Sequence, residues 1–156
     1  MDEKLNLIVN IICAFPKAYR AIKLTDYNRT IETVFELSLP ADRTLCNTDT
    51  SKWAVDKDHL FSFTYYYFAA EALFYPKAMK LSRDNNASVL ILGLGGGLIN
   101  SFLHHNFPKM NITVVELSTM MFYVASKWFD LTLDDHHSVV IRDGVEFVEE
   151  QAKEGL

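Results

Sequence analysis

"SVLILGLGGGLIN", residues 88–100, decides how this chain is read. An apolar run of strand length, 88–94, meets four glycines within five positions: Gly93, Gly95, Gly96 and Gly97. The chain then turns apolar again. A buried strand that passes straight into so much backbone freedom predicts a strand–turn–helix whose main chain must approach something closely. The pattern continues downstream. The spacing predicts a helix over 98–107 stopped by Pro108, a strand over 111–117, and a helix over 119–129. A strand over 138–142 and a helix over 145–153 follow, with Gly155 at the C-cap. This alternation predicts a parallel sheet with crossover helices, and the apolar strands predict burial on both faces.

Upstream the pattern differs. "TIETVFELSLP" alternates like a strand, and Pro40 ends it. Residues 41–51 read as a loop. The aromatic-dense 60–81 segment predicts a helix with Asp56 or Asp58 as N-cap and a kink or end at Pro76. The start, "MDEKLNLIVNIICAF", lacks the positive leader of a secretory signal and is too short to span a bilayer, so it reads as a strand or helix of a soluble protein. These readings predict a β-rich extension over 1–55 and an α/β unit over 56–156.

Composition sets outer bounds. The chain has 156 residues, 49% of them hydrophobic, and a net charge of −5. Residues 1–87 carry 11 basic and 11 acidic side chains, whereas 88–156 carry 4 and 9. An acidic second half without a Lys/Arg cluster argues against nucleic acid as a partner. Cys13 and Cys46 match neither a CxxC nor a zinc spacing, which predicts free thiols and a cytoplasmic setting. The pairs His104-His105 and His136-His137 lack the i,i+4 spacing of a helical zinc site, so no metal is expected. No GxSxG elbow, P-loop or HExxH occurs.

The glycine spacing bears on the ligand. A dinucleotide fingerprint, GxGxxG, would place its last glycine where Leu98 stands. The chain has Gly93-x-Gly95-x-Gly97, a GxGxG, closer to loops that bind S-adenosylmethionine than to those that bind NAD; a glycine turn with no ligand is the alternative. Glu116 ends the second strand of the unit, where a carboxylate can accept from both ribose hydroxyls. Its alternative is a solvated strand end. Asp143-Gly144 ends the third strand, where a carboxylate can accept from an adenine amino group. Asp143 also suits the N-cap of the following helix.

With these residues quoted, "VLILGLGGGLINSFLHHNFPKMNITVVELSTMMFYVASKWFDL…HHSVVIRDGVEFV" resembles the class I S-adenosylmethionine-dependent methyltransferases, in their spermidine synthase-like branch. The nearest likeness is to the methyltransferase-like proteins that act on the lysine and N-terminus of elongation factor 1-alpha. The resemblance implies a partial Rossmann-like parallel sheet, S-adenosylmethionine as cofactor, and a protein amine as methyl acceptor. It implies that Gly93, Gly95, Gly96 and Gly97 meet the methionine part, Glu116 the ribose, and Asp143 with Gly144 the adenine. The chain departs from the family at Ser118-Thr119, where Asp-Pro is frequent. Tyr65, Tyr66 and Tyr67, on the helix ahead of the loop, are expected to pack in the core. A family sheet has seven strands and this pattern supplies three. The expectation is therefore a fragment or truncated form without an acceptor half, and no catalytic residue is assigned. The alternatives are an inactive paralogue or interaction module, an oligomer joined through the open sheet edge, and an aminopropyltransferase.

Overall fold

The computed structural model describes residues 7–14, 17–24, 31–40, 49–62, 64–75 and 79–155. Strands β1 (Leu7–Ala14), β2 (Lys17–Leu24) and β3 (Ile31–Glu36) form an antiparallel sheet in that order. The helix α1 (Tyr65–Phe74) follows. Next come β4 (Ser88–Leu92), α2 (Leu98–Asn106), β5 (Asn111–Glu116), α3 (Thr119–Trp128), β6 (His137–Ile141) and α4 (Gly144–Glu154). β4, β5 and β6 pair in parallel, with Leu92 opposite Val115 and Glu116 opposite Ile141. The α/β architecture expected from the glycine stretch is present. The N-terminal run is a strand, β1. Most of the 41–51 loop, together with Cys46 and Pro76, lies outside the described residues.

Helix ends follow local chemistry. Thr64 caps α1 and Ser118 caps α3 through side-chain oxygens that accept from Tyr67 and Met121 N–H groups. Gly155 closes α4 at φ +83. α1 is shorter than its apolar run suggested, and neither Asp56 nor Asp58 caps it. Asp56 instead accepts from the Asp58 N–H at 2.7 Å and pairs with His59 at 2.9 Å, an Asx-type turn that holds the chain out of helix.

Two further expectations are corrected. Burial on both faces holds for the central strand β5, where Val114 is 0% and Val115 2% exposed, but not for the edge strand β4. Val89, Ile91, Ile112 and Val114 pack with α2 and α3, but on the opposite face Leu90 is 46% and Leu92 55% exposed. The physical reason is coverage: α4 buries none of its residues. Of the α1 tyrosines, Tyr66 packs against the core as expected, but Tyr65 and Tyr67 do not. Tyr65 is 76% and Tyr67 38% exposed, and Ala70 is the buried residue of this helix.

The antiparallel sheet shares a core with the helices of the parallel one. Ala18, Ile22, Phe35 and Leu37 meet Leu98 of α2, Met121 and Val124 of α3, and Phe129 just after α3. Arg20, 1% exposed, crosses this seam. It donates to the carbonyls of Thr50 at 2.6 Å, Trp53 at 3.1 Å and Trp128 at 2.6 Å, while its Nε has no partner among the described residues. Asp130, in the left-handed region at φ +51, accepts from the Val55 N–H at 2.9 Å and completes the junction. Arg20→Met keeps much of the stem but strands three carbonyls, those of Thr50 and Trp53 buried and that of Trp128 partly so. It should lower the unfolding free energy by about 3 kcal/mol in urea titration, with Arg20→Lys recovering only part, because an ammonium cannot reproduce the guanidinium fork.

Candidate functional site

The turn from β4 to α2 is built from backbone conformations that side chains resist. Gly93, Gly95 and Gly97 sit at φ +93, +54 and +84. A Cβ on Gly93 would meet nothing within 4 Å, so the main chain there faces open space. Gly96 differs. A Cβ on it would lie 2.7 Å from Thr33 Cγ2, so its bare Cα is needed for the approach of β3. The Gly96 N–H donates to Thr33 Oγ1 at 3.0 Å.

Glu116, 8% exposed at the end of β5, braces the loop from the other side. Its Oε2 accepts from the Leu94 N–H and its Oε1 from the Ser118 N–H, both at 2.7 Å. Each oxygen keeps a second lone pair. Asp143 caps α4, its Oδ1 accepting from Val145 at 2.8 Å and Glu146 at 3.2 Å, with Oδ2 unpartnered among the described residues. Gly144 follows, and a Cβ on it would lie 3.4 Å from Leu92 Cδ2. The register aligns the C-terminal ends of the three parallel strands, so the glycine loop, Glu116 and Asp143 stand along one rim of the sheet. That rim is where such sheets receive ligands.

A cavity of about 210 Å³ opens beside the loop. Gly93, Gly95 and Asn100 form one side, and Glu32, Thr33, Tyr65 and Tyr66 contribute to the other. Larger cavities of about 420 and 440 Å³ lie between α1 and α2 and beside α4, away from the glycines. Of these three, the loop cavity combines the open main chain at Gly93 with polar groups, and so it is the better candidate.

Sequence reasoning missed three residues here. Thr33 and Arg20 are polar residues on inward-facing strand positions, and that break in an apolar alternation was their signal. The third is His137, 1% exposed. The Thr132 carbonyl, 2.7 Å from Nδ1, can only accept, so the proton sits on Nδ1 and Nε2 takes the Asn100 amide N–H at 3.0 Å. Asn100 in turn lines the loop cavity. Burial pushes the His137 imidazole below its usual 6.5, with further lowering from nearby His104 and opposition from the Thr132 carbonyl and Asp134. Among the described residues no three His, Cys, Asp or Glu side chains gather to hold a metal, and no helix is long and apolar enough to cross a membrane.

Comparison with known proteins bears on this rim. No protein-family model matches the chain. Over 74 residues it is 45% identical to the eEF1A lysine and N-terminal methyltransferase homolog of Drosophila melanogaster, covering 47% of this chain and 11% of that protein. Over 78 residues it is 37% identical to the eEF1A lysine and N-terminal methyltransferase of Bos taurus, covering 50% and 11%. A crystal structure of human Methyltransferase-like protein 13 in complex with SAH is 35% identical, with 56% of this chain and 39% of that one covered at a TM-score of 0.49. The likeness expected from the sequence is therefore present over about half of the chain, which spans about a tenth of the curated relatives' length.

Two outcomes follow from the geometry. Glu116→Gln turns one acceptor oxygen into a donor facing a backbone donor, and should cost about 1–3 kcal/mol in denaturant unfolding. His137 stays neutral in the folded chain below the pH at which it charges when unfolded. Its contribution is fully present above 6.5 and is lost as pH falls through the lower folded value. Stability measured from about pH 7 down to about pH 5 should fall, and His137→Gln should flatten that slope.

Proposed function

We propose that this chain carries the S-adenosylmethionine-holding side of a protein methyltransferase that acts on lysine or N-terminal amines, with elongation factor 1-alpha as the substrate suggested by its relatives. The observation that carries the reading is the open main chain at Gly93 beside a carboxylate already fixed at Glu116. A ligand can reach the backbone there without displacing a side chain, since a Cβ at Gly93 would meet nothing within 4 Å. The adjoining cavity, about 210 Å³, is smaller than the roughly 300–1,000 Å³ of a typical ligand pocket, which suits one end of an extended cofactor.

The residue roles follow from this fit. Bound S-adenosylmethionine supplies a methyl group on a positively charged sulfur. Gly93 and Gly95 border the space for its methionine part. Glu116 offers its two remaining lone pairs to the ribose diol, and its existing bonds to Leu94 and Ser118 hold those acceptors still. Asp143 presents Oδ2 to the adenine amino group while Oδ1 caps α4. Burial of the rim against water and fixed placement of the reacting groups are what methyl transfer to an amine requires. The exposed Leu90, Leu92, Val145 and Val148 offer apolar surface for an acceptor half to cover.

Calorimetric titration of the chain with S-adenosylmethionine tests the reading. Binding in the micromolar range is expected. Asp143→Asn retains the cap, because Asn caps as well as Asp, yet removes a carboxylate oxygen, and should weaken binding about tenfold. A folded wild-type chain that gives no heat with S-adenosylmethionine at any tested concentration would sink the assignment.

A further inference from the structure

We infer that Thr33, on the N-terminal antiparallel sheet, is a positioning residue for the glycine loop and thereby for cofactor affinity; this rests on the cofactor reading above. Thr33 is 3% exposed, although threonine has nothing to gain from an apolar core unless its hydroxyl is satisfied. The hydroxyl oxygen accepts the Gly96 N–H at 3.0 Å, 63 residues away in sequence. Its methyl group occupies the space that a side chain at Gly96 would need. A Cβ on Gly95 would lie 2.9 Å from the same hydroxyl oxygen. One side chain therefore fits against two successive glycines of the loop and takes a main-chain donor from one of them.

The strand is shaped for this. Pairing between β2 and β3 runs Ile22 to Thr33 and then Lys23 to Ile31, which leaves Glu32 as the extra residue of a β-bulge. Bulged residues are left out of the ladder and re-aim the strand. The Glu32 carbonyl accepts from the Tyr66 hydroxyl. Two adjacent residues of β3 thus anchor both walls of the loop cavity: Thr33 holds the glycine side, and Glu32 holds α1. The antiparallel sheet is in this view part of the cofactor site, acting through the loop and not by touching the reacting atoms.

Three variants and two readouts test this. Thr33→Val keeps the side chain's shape but places a methyl group where an oxygen sits 3.0 Å from the Gly96 nitrogen, closer than a carbon tolerates. Thr33→Ser keeps the acceptor. Ile22→Val trims the other side chain near Gly96 and leaves the acceptor intact. Each is titrated with S-adenosylmethionine, and amide exchange at Gly96 is followed by NMR without ligand. The expected result is binding weakened about tenfold in Thr33→Val, with faster Gly96 exchange. Thr33→Ser should stay within about twofold on both readouts, and Ile22→Val should melt lower with affinity within about twofold. Equal affinity in Thr33→Val and wild type would overturn the inference, as would a loss in Thr33→Ser as large as in Thr33→Val. If the wild type binds nothing, the cofactor reading fails, and the effect on affinity fails with it. Gly96 exchange that is slow in wild type and fast in Thr33→Val then still supports the clamp on the loop, and unchanged exchange overturns that too.

Discussion

A backbone that turns sharply from a strand into a helix leaves N–H groups with no helix or ladder to receive them, and where the turn is buried they cannot stay bare. At the β4–α2 turn this constraint sets the arrangement of the molecule. α2 begins at Leu98 behind Gly97, which has no side chain to cap it, so the donors must be met from elsewhere. Gly97 donates to the Leu94 carbonyl at 2.9 Å. Leu94 donates to Glu116 of the parallel sheet, and Gly96 to Thr33 of the antiparallel sheet. One short turn therefore takes acceptors from both sheets, and neither sheet can shift without unpairing a buried donor.

The seam between the sheets repeats this logic at larger scale. Phe35 and Phe129 lie 5.2 Å apart between ring centroids, supplying nonpolar area. Arg20 and Asp130 supply direction, because their partners are main-chain atoms that fix distance as well as contact. The far face of the parallel sheet has no such locking. There α4 is held at its ends by Asp143 and Gly155, and along its outside by the Arg142–Glu150 pair at 2.5 Å, an exposed bridge of little energetic weight. The molecule is thus tightly determined on the side that braces the glycine loop and loosely determined on the other.

Much of this was legible in the sequence. Period and punctuation marked β4 through α4 to within a residue or two, because strand, glycine turn and helix each leave a local trace. The rim positions were legible for the same reason, since each follows the end of a strand. Three kinds of feature were not. The start of α1 depended on Asp56 engaging Asp58 and His59, a competition between side chain and backbone that apolar spacing does not register. The exposure of Leu90 and Leu92 depended on how little α4 covers, and a strand's own residues do not encode its neighbours. The partner of Gly96 lies 63 positions upstream. Only the oddity of a threonine in line with Phe35 and Leu37 hinted at it.

The bond from Arg20 to the Trp128 carbonyl joins residues 108 positions apart. On a ribosome the arginine emerges first, and at about 5–20 residues per second its last acceptor follows roughly 5–20 s later. Through that interval the guanidinium lacks one of its three acceptors, and the strand that carries it cannot complete its inner face against Phe129. These earlier-made strands are therefore among the last to settle, and a nascent chain stalled before α3 would present β2 and β3 unburied to whatever chaperone or strand edge it meets.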